Sequence, residues 1–140
     1  MNKIMKFGLM ATVVMSLVFI GLYAAEDKVG EAAGVTHISQ QELMELSKDE
    51  NTVLIDIRTQ GEVNNGAIPG SVHLPITRIV QDTSLLDQYK GKDLVFYCHT
   101  GVRVKRLTDY LLATNHESKN NLHHLKGDWH GWAQSGNPVK

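Results

Sequence analysis

Two short runs constrain this chain more than anything else in it. Thr52-Val53-Leu54-Ile55-Asp56-Ile57 and Asp93-Leu94-Val95-Phe96-Tyr97 are almost continuously apolar and rich in β-branched and aromatic residues. Runs of this kind read as strands buried on both faces, as in a parallel sheet. Thr36-His37-Ile38, Ser71 to Leu74 and Leu122 to Leu125 supply three shorter strand candidates. Between them lie segments with helical signals. Ser39 is a natural N-cap, and Glu42 three residues on completes a capping box, with Leu43, Met44 and Leu46 as the apolar face. A helix is predicted over part of Ile76 to Tyr89. Another is predicted over Val102 to Thr114, where Leu107, Tyr110 and Leu111 fall at helical spacing, and a short one over Asp128 to Gln134. Gly61 to Gly70 reads as loop, broken by Asn64, Asn65, Gly66, Pro69 and Gly70. Strands alternating with helices predict an α/β domain around a mainly parallel sheet of about five strands.

The first residues belong to a different kind of segment. Lys3 and Lys6 precede an uncharged, largely apolar stretch from Phe7 to Tyr23, followed by the small residues Ala24 and Ala25 and then Glu26 and Asp27. This is the layout of an export signal, with cleavage expected after Ala24. An uncleaved anchor would need roughly 17–25 apolar residues, and this run sits at the short edge of that range and contains Gly8 and Gly21. The expected organisation is a signal peptide over 1–24, a flexible lead-in over 25–35 and one folded domain over 36–140, without stable membrane association once cleaved. Export implies a periplasmic location and an oxidising space. Of 14 basic residues, two lie in the signal, which leaves 12 against 15 acidic ones. That balance, with no basic run, argues against a nucleic-acid partner.

Against that background the single cysteine, Cys98, stands out. It follows the strand Asp93–Tyr97 and precedes a helix, and ligands of open α/β sheets bind beyond the carboxyl ends of strands. A loop entering a helix presents several N–H groups to one point, where they and the helix dipole favour an anion. In Cys98-His99-Thr100-Gly101-Val102-Arg103, Gly101 permits the backbone curvature such a nest needs, and Arg103 brings a permanent cation. These surroundings predict a thiolate nucleophile rather than an inert buried thiol.

The same six residues resemble the C-x-x-G-x-R active-site loop of the rhodanese domain. Two further blocks resemble that family in the right order. Ile55-Asp56-Ile57-Arg58, Glu62, Gly66-Ala67-Ile68-Pro69-Gly70-Ser71 and Leu74-Pro75 are similar to its D-x-R…E…G-H-I-P-G-A…P segment. Leu125-Lys126-Gly127-Asp128-Trp129 with Trp132 is similar to its terminal Gly-Gly…W element. The resemblance covers roughly residues 36–134 and implies a rhodanese-like α/β fold with helices on both faces of the sheet. It also implies thiosulfate:cyanide sulfurtransferase chemistry. Cys98 would take the outer sulfur of thiosulfate, expel sulfite, and pass the sulfur from a persulfide to cyanide or a small thiol. His99, Thr100, Gly101, Val102 and Arg103 would bind substrate, with Asp56 and Arg58 in support. No cofactor is needed, since the cysteine carries the sulfur, and a monomer is expected. Ala67 replaces the family's frequent histidine and Asp128 its second glycine. Neither departure is expected to touch the nucleophile.

Two other readings use the same loop. One is a persulfide-carrying module that serves a protein partner and turns over small donors slowly. The other is a cysteine phosphatase, but those loops place five residues between cysteine and arginine. Here four stand between them, His99 to Val102, and the tighter cradle suits a persulfide sulfur better than a tetrahedral phosphate. Of the remaining charges, Arg58 and Glu62 are expected to pair and hold the intervening loop. Lys105 and Arg106 are either a positive field around the site or solvated helix residues. The seven histidines show no ligand pair at helical spacing, and His123 and His124, adjacent on a strand, would face opposite ways, so no metal site is expected. Trp129 and Trp132 are expected to pack the last helix onto the core.

Overall fold

The computed structural model describes residues 34–116 and 121–140, so the signal peptide expected over 1–24 and nearly all of the expected lead-in lie outside the described residues. Five strands form one sheet: β1 (Val35–Ile38), β2 (Thr52–Asp56), β3 (Val72–His73), β4 (Asp93–Tyr97) and β5 (Asn121–Leu125). Their order across the sheet is β1-β5-β4-β2-β3, and every neighbouring pair is parallel. β4 is central, flanked by β2 and β5.

The helices are α1 (Gln40–Leu46), α2 (Gln60–Asn64), α3 (Ile76–Gln81), a 3-10 helix (Thr83–Tyr89), α4 (Val102–Ala113) and α5 (Asp128–Gln134). The strand period of two assigns the core to two layers. Leu94, Phe96 and Cys98 face one layer, with Ile55, Ile57, Ile79 of α3, Leu86 of the 3-10 helix, and Val104, Leu107 and Leu111 of α4. Leu54, Val95 and Tyr97 face the other, with Leu43 of α1, Ile68 and Trp132 of α5. Helices therefore cover both faces, as the two-sided apolar runs require. Each fully buried side chain of this size contributes roughly 1.5–3 kcal/mol of transfer free energy.

Two local expectations need correction. The predicted loop from Gly61 to Gly70 begins inside a helix, α2, whose N-cap is Thr59. The Thr59 hydroxyl accepts the Glu62 N–H at 3.4 Å, and Glu62 accepts the Thr59 N–H at 3.0 Å. This is a second capping box, masked in the sequence by the glycine and asparagines around it. The helical stretch predicted within Ile76 to Tyr89 is two pieces. Asp82 is extended (φ −148°) between them and caps the 3-10 helix by accepting the Ser84 N–H at 3.0 Å.

Candidate active site

Cys98 is the first residue after the central strand and is 1% exposed. Gly101 closes the loop behind it in the left-handed region (φ +92°), as the N-cap of α4. That conformation is open to glycine at little cost and turns the Gly101 N–H onto the sulfur, N to Sγ 3.1 Å. A Cβ at Gly101 would lie 2.9 Å from Asp128 Oδ2 and 3.0 Å from the His124 ring, so space as well as φ excludes a side chain here.

The rest of the loop is oriented from α5. The Trp129 N–H donates to the Cys98 carbonyl (3.0 Å) and the His130 N–H to the His99 carbonyl (3.2 Å). In a planar trans peptide the C=O and the following N–H point in opposite directions, and no peptide here is cis. The N–H groups of His99 and Thr100 therefore face away from α5, and among the described residues neither donates to a protein acceptor. Together with the Gly101 N–H and the first-turn donors of α4, they leave a set of backbone dipoles with anion-binding capacity around one thiol.

Arg103, on the first turn of α4, makes a bidentate pair with Glu62 of α2 at 2.7 and 2.6 Å. The Glu62 hydrogen bonds, working against partial burial, hold Arg103 firmly charged, and the nearby Cys98 sulfur adds in the same direction. Reciprocally, Arg103 and then the Thr59 donors hold the Glu62 carboxyl well below the usual carboxylate range, against partial burial. Both side chains remain partly open to solvent, at 27% and 31%. Arg103 stands at the end of the loop as expected, but Glu62, expected to pair with Arg58, is on Arg103 instead. The structure reverses that pairing, because the short helix α2 carries Glu62 across to α4.

Arg58 instead meets Asp56. The pair is buried, at 1% and 0% exposure, with its shortest contact at 2.6 Å. The Asp56 carboxylate also accepts the Arg58 N–H at 3.0 Å and the Tyr97 hydroxyl at 2.7 Å. Arg58 donates on to the Gly66 carbonyl at 2.8 Å and stacks over the Trp129 ring at 4.5 Å. Burial works against the charge on Arg58, but the hydrogen bonds to Asp56 outweigh it and raise its pKa. Burial, and then the Asp56 carboxylate it donates to, push the Tyr97 hydroxyl up to about 12, so it remains a donor through the ordinary pH range. Asp56 and Arg58 thus tie β2 to the Gly66 turn and α5, a supporting role. Trp132 is buried in the core at 5% exposure, and Trp129 packs against the same core cluster while its ring also lies under Arg58.

Around the mouth of the loop, His99 and Thr100 are exposed and Val102 is 60% exposed. The His99 and His130 rings meet edge to face at 5.9 Å. Lys105 pairs with Asp109 one turn along α4, both in solvent, which makes it a solvated helix residue rather than part of the cradle. Among the described residues no group of three or more His, Cys, Asp or Glu is placed to hold a metal ion.

The largest departure concerns Asp128. Its carboxylate reaches the backbone of Cys98, whose N–H donates to Oδ1 at 2.8 Å. The other oxygen, Oδ2, lies 2.9 Å from His124 Nε2. Asp128 is 3% exposed and stands in the left-handed region (φ +51°). For a residue with a Cβ this costs on the order of 1–2 kcal/mol, least for Asp and Asn, and two hydrogen bonds offset it. The signal was present in the sequence, since Asp128 stands where the motif it resembles has a second glycine, a residue suited to positive φ.

The fold and site define an α/β protein with a parallel sheet that carries a buried thiol at the carboxyl end of its central strand, in a loop that opens into a helix and turns a backbone N–H onto the sulfur. Residues 39–135 match the rhodanese-like domain. The chain is 32% identical over 106 residues, 75% of its own length and 94% of the other's, to a protein of Allochromatium vinosum named sulfurtransferase. It is also 30% identical over 125 residues, 84% of this chain and 86% of the other, to an Arabidopsis thaliana protein named dual specificity phosphatase Cdc25. Among solved structures, a rhodanese-related protein of Thermoplasma volcanium superposes with a TM-score of 0.63 at 23% identity, over 75% of this chain and 97% of that one. The chain belongs to the rhodanese-like domain family.

Proposed function

We propose that this protein is a sulfurtransferase that moves sulfane sulfur from thiosulfate to cyanide or a small thiol through a persulfide on Cys98. The observation that carries the reading is the Gly101 N–H aimed at the Cys98 sulfur at 3.1 Å, within a loop that reaches Arg103 after four residues. The similarity to a sulfurtransferase over most of both chains supports the same reading.

In the first step the thiolate attacks the outer sulfur of thiosulfate. A Cys98 S–S bond forms, the sulfur–sulfur bond of thiosulfate breaks, and sulfite leaves with the electron pair. In the second, cyanide attacks the terminal persulfide sulfur, forms a C–S bond and releases the Cys98 thiolate with thiocyanate. Both steps carry negative charge throughout. Backbone donors fixed around the sulfur stabilise such charge without reorganising during the reaction. Arg103 beside the sulfur strengthens the field, although Glu62 already partly neutralises it. The short loop disfavours phosphate, whose tetrahedral oxygens need a wider ring of donors.

Thiocyanate release from thiosulfate and cyanide tests the reading. The full rate is expected for wild type and none for Cys98→Ser, and intact mass after thiosulfate alone is expected to rise by about 32 Da, one sulfur, on wild type only. Hydrolysis of an aryl phosphate with no thiocyanate formed would point to the phosphatase reading instead. The N-terminal stretch supports an exported, periplasmic enzyme. Protein recovered from cells is then expected to begin at Ala25, and an intact Met1 would refute the cleavage.

A further inference from the structure

We propose that Asp128, backed by His124, is a positioning residue for Cys98, one that holds the nucleophile and the Gly101 donor in a fixed relation from behind the loop. The inference rests on the persulfide reading above and assigns it two residues that the family motif does not supply.

The geometry that leads to it lies on the side of the loop away from the substrate. One carboxylate spans the loop: Oδ1 takes the Cys98 N–H at 2.8 Å, and Oδ2 is the first atom that a Cβ on Gly101 would strike, at 2.9 Å. Asp128 therefore packs against both residues that define the sulfur's surroundings, the one that bears Sγ and the one whose N–H meets it at 3.1 Å. A carboxylate only accepts hydrogen bonds, so His124 Nε2 supplies the proton in the 2.9 Å contact. His124 is itself held: it lies on β5, with the His37 ring of β1 at 5.1 Å and its side chain 15% exposed.

The bonding at Cys98 also fixes the peptide planes. The Cys98 N–H points to Asp128, the Cys98 carbonyl points to the Trp129 N–H, and the His99 carbonyl points to the His130 N–H. Two of these three bonds come from the main chain of α5 and are indifferent to side chains. The third exists only because residue 128 carries an acceptor. A glycine there would take up the positive φ with less strain and still leave the Cys98 N–H unheld. Asp128 touches the backbone of the nucleophile and not the reacting sulfur, so its effect is on how well the thiol is placed for attack. Misplacement of a reacting group by about 1 Å can cost about a hundredfold in rate while leaving substrate affinity alone.

Two substitutions separate positioning from mere backbone accommodation. Asp128→Gly keeps the left-handed backbone and removes the acceptor. Asp128→Asn keeps an acceptor oxygen for the Cys98 N–H, tolerates positive φ, and lets His124 switch tautomer to accept from its amide. In the thiosulfate:cyanide assay Asp128→Gly is expected to lower kcat by about 10–100-fold with KM within about twofold, and Asp128→Asn to stay within about threefold of wild type. Hydrogen exchange of the Cys98 amide is expected to accelerate in Asp128→Gly and to remain slow in Asp128→Asn. If Asp128→Gly retains the wild-type kcat, or if Asp128→Asn falls as far as Asp128→Gly, the positioning role is wrong. If wild type itself acquires no sulfur from thiosulfate, the sulfurtransferase reading fails on its own, and the Cys98 amide exchange still decides whether Asp128 holds the loop.

Discussion

Two arginine–carboxylate pairs stand at the same edge of this sheet, and their shortest contacts have the same length. Asp56–Arg58 and Glu62–Arg103 both close at 2.6 Å. One is sealed at 0% and 1% exposure, the other open at 31% and 27%. The sealed pair has its remaining groups taken up by Tyr97, the Gly66 carbonyl and the Trp129 ring. The open pair has Thr59 on one side and the Cys98 sulfur on the other. Distance alone thus says little about what a salt bridge does. Burial decides whether losing one partner strands a charge or only releases it to water. The sealed pair joins three parts of the fold that hold the loop, whereas the open pair places a partly exposed guanidinium near the Cys98 sulfur.

The comparison fails if the two pairs respond alike to the loss of a partner. The largest effect is expected at Arg58. Arg58→Ala leaves the Asp56 carboxylate buried with only the residue-58 N–H and the Tyr97 hydroxyl as donors, and leaves the Gly66 carbonyl without its partner. Breaking a buried pair in this way typically costs about 3–5 kcal/mol, and the two surviving donors place this case near the lower end. Urea denaturation is the measurement, and a loss below about 1 kcal/mol would mean that water reaches the pair and that the two pairs are equivalent. The activity that remains should show an unaltered KM, because Arg58 faces the fold and not the cradle.

Most of this arrangement was legible in the sequence, and the parts that were not share a cause. The strands announced themselves because β2 and β4 are buried on both faces over most of their length, which forces consecutive apolar residues at Val53–Ile55 and Leu94–Tyr97. Cys98, Gly101 and Arg103 were legible because an anion cradle needs its residue types at fixed spacing along one segment. The partners of the two arginines were not, because pairing across the sheet edge depends on where short elements end. Glu62 is four residues from Arg58, an inviting separation, yet the capping box at Thr59 winds α2 and carries Glu62 to an arginine 41 residues away. Asp128 was visible as a departure from a glycine pattern, but its contact with Cys98 spans 30 residues and follows from α5 folding back onto the loop. Local chemistry repeats along the chain and can be read there, whereas which side chain meets which across the sheet is settled by topology.

A smaller effect is expected at Glu62, and pH resolves it. The Glu62 carboxyl is held below its ordinary value in the folded protein, first by Arg103. A carboxyl whose folded pKa is depressed contributes stability above its unfolded value, about 4.3, and loses that contribution as pH falls through the folded value. Glu62→Gln keeps the size and one acceptor oxygen but has no charge to lose. At neutral pH it is expected to be less stable than wild type by at most about 1 kcal/mol, since the pair is partly screened by solvent. From about pH 4.3 downward the two stability curves should draw progressively together, because wild type gives up by degrees what the variant never had. The same substitution leaves Arg103 unneutralised beside Cys98, so KM for thiosulfate should fall, by no more than about fivefold, and the gain should fade at high salt. Melting curves taken from pH 7 down to pH 3 would show the convergence. Curves that run parallel would mean that Glu62 and Arg103 do not interact in solution, and the distinction between a sealed strut and an open, tunable pair would then rest on Arg58 alone.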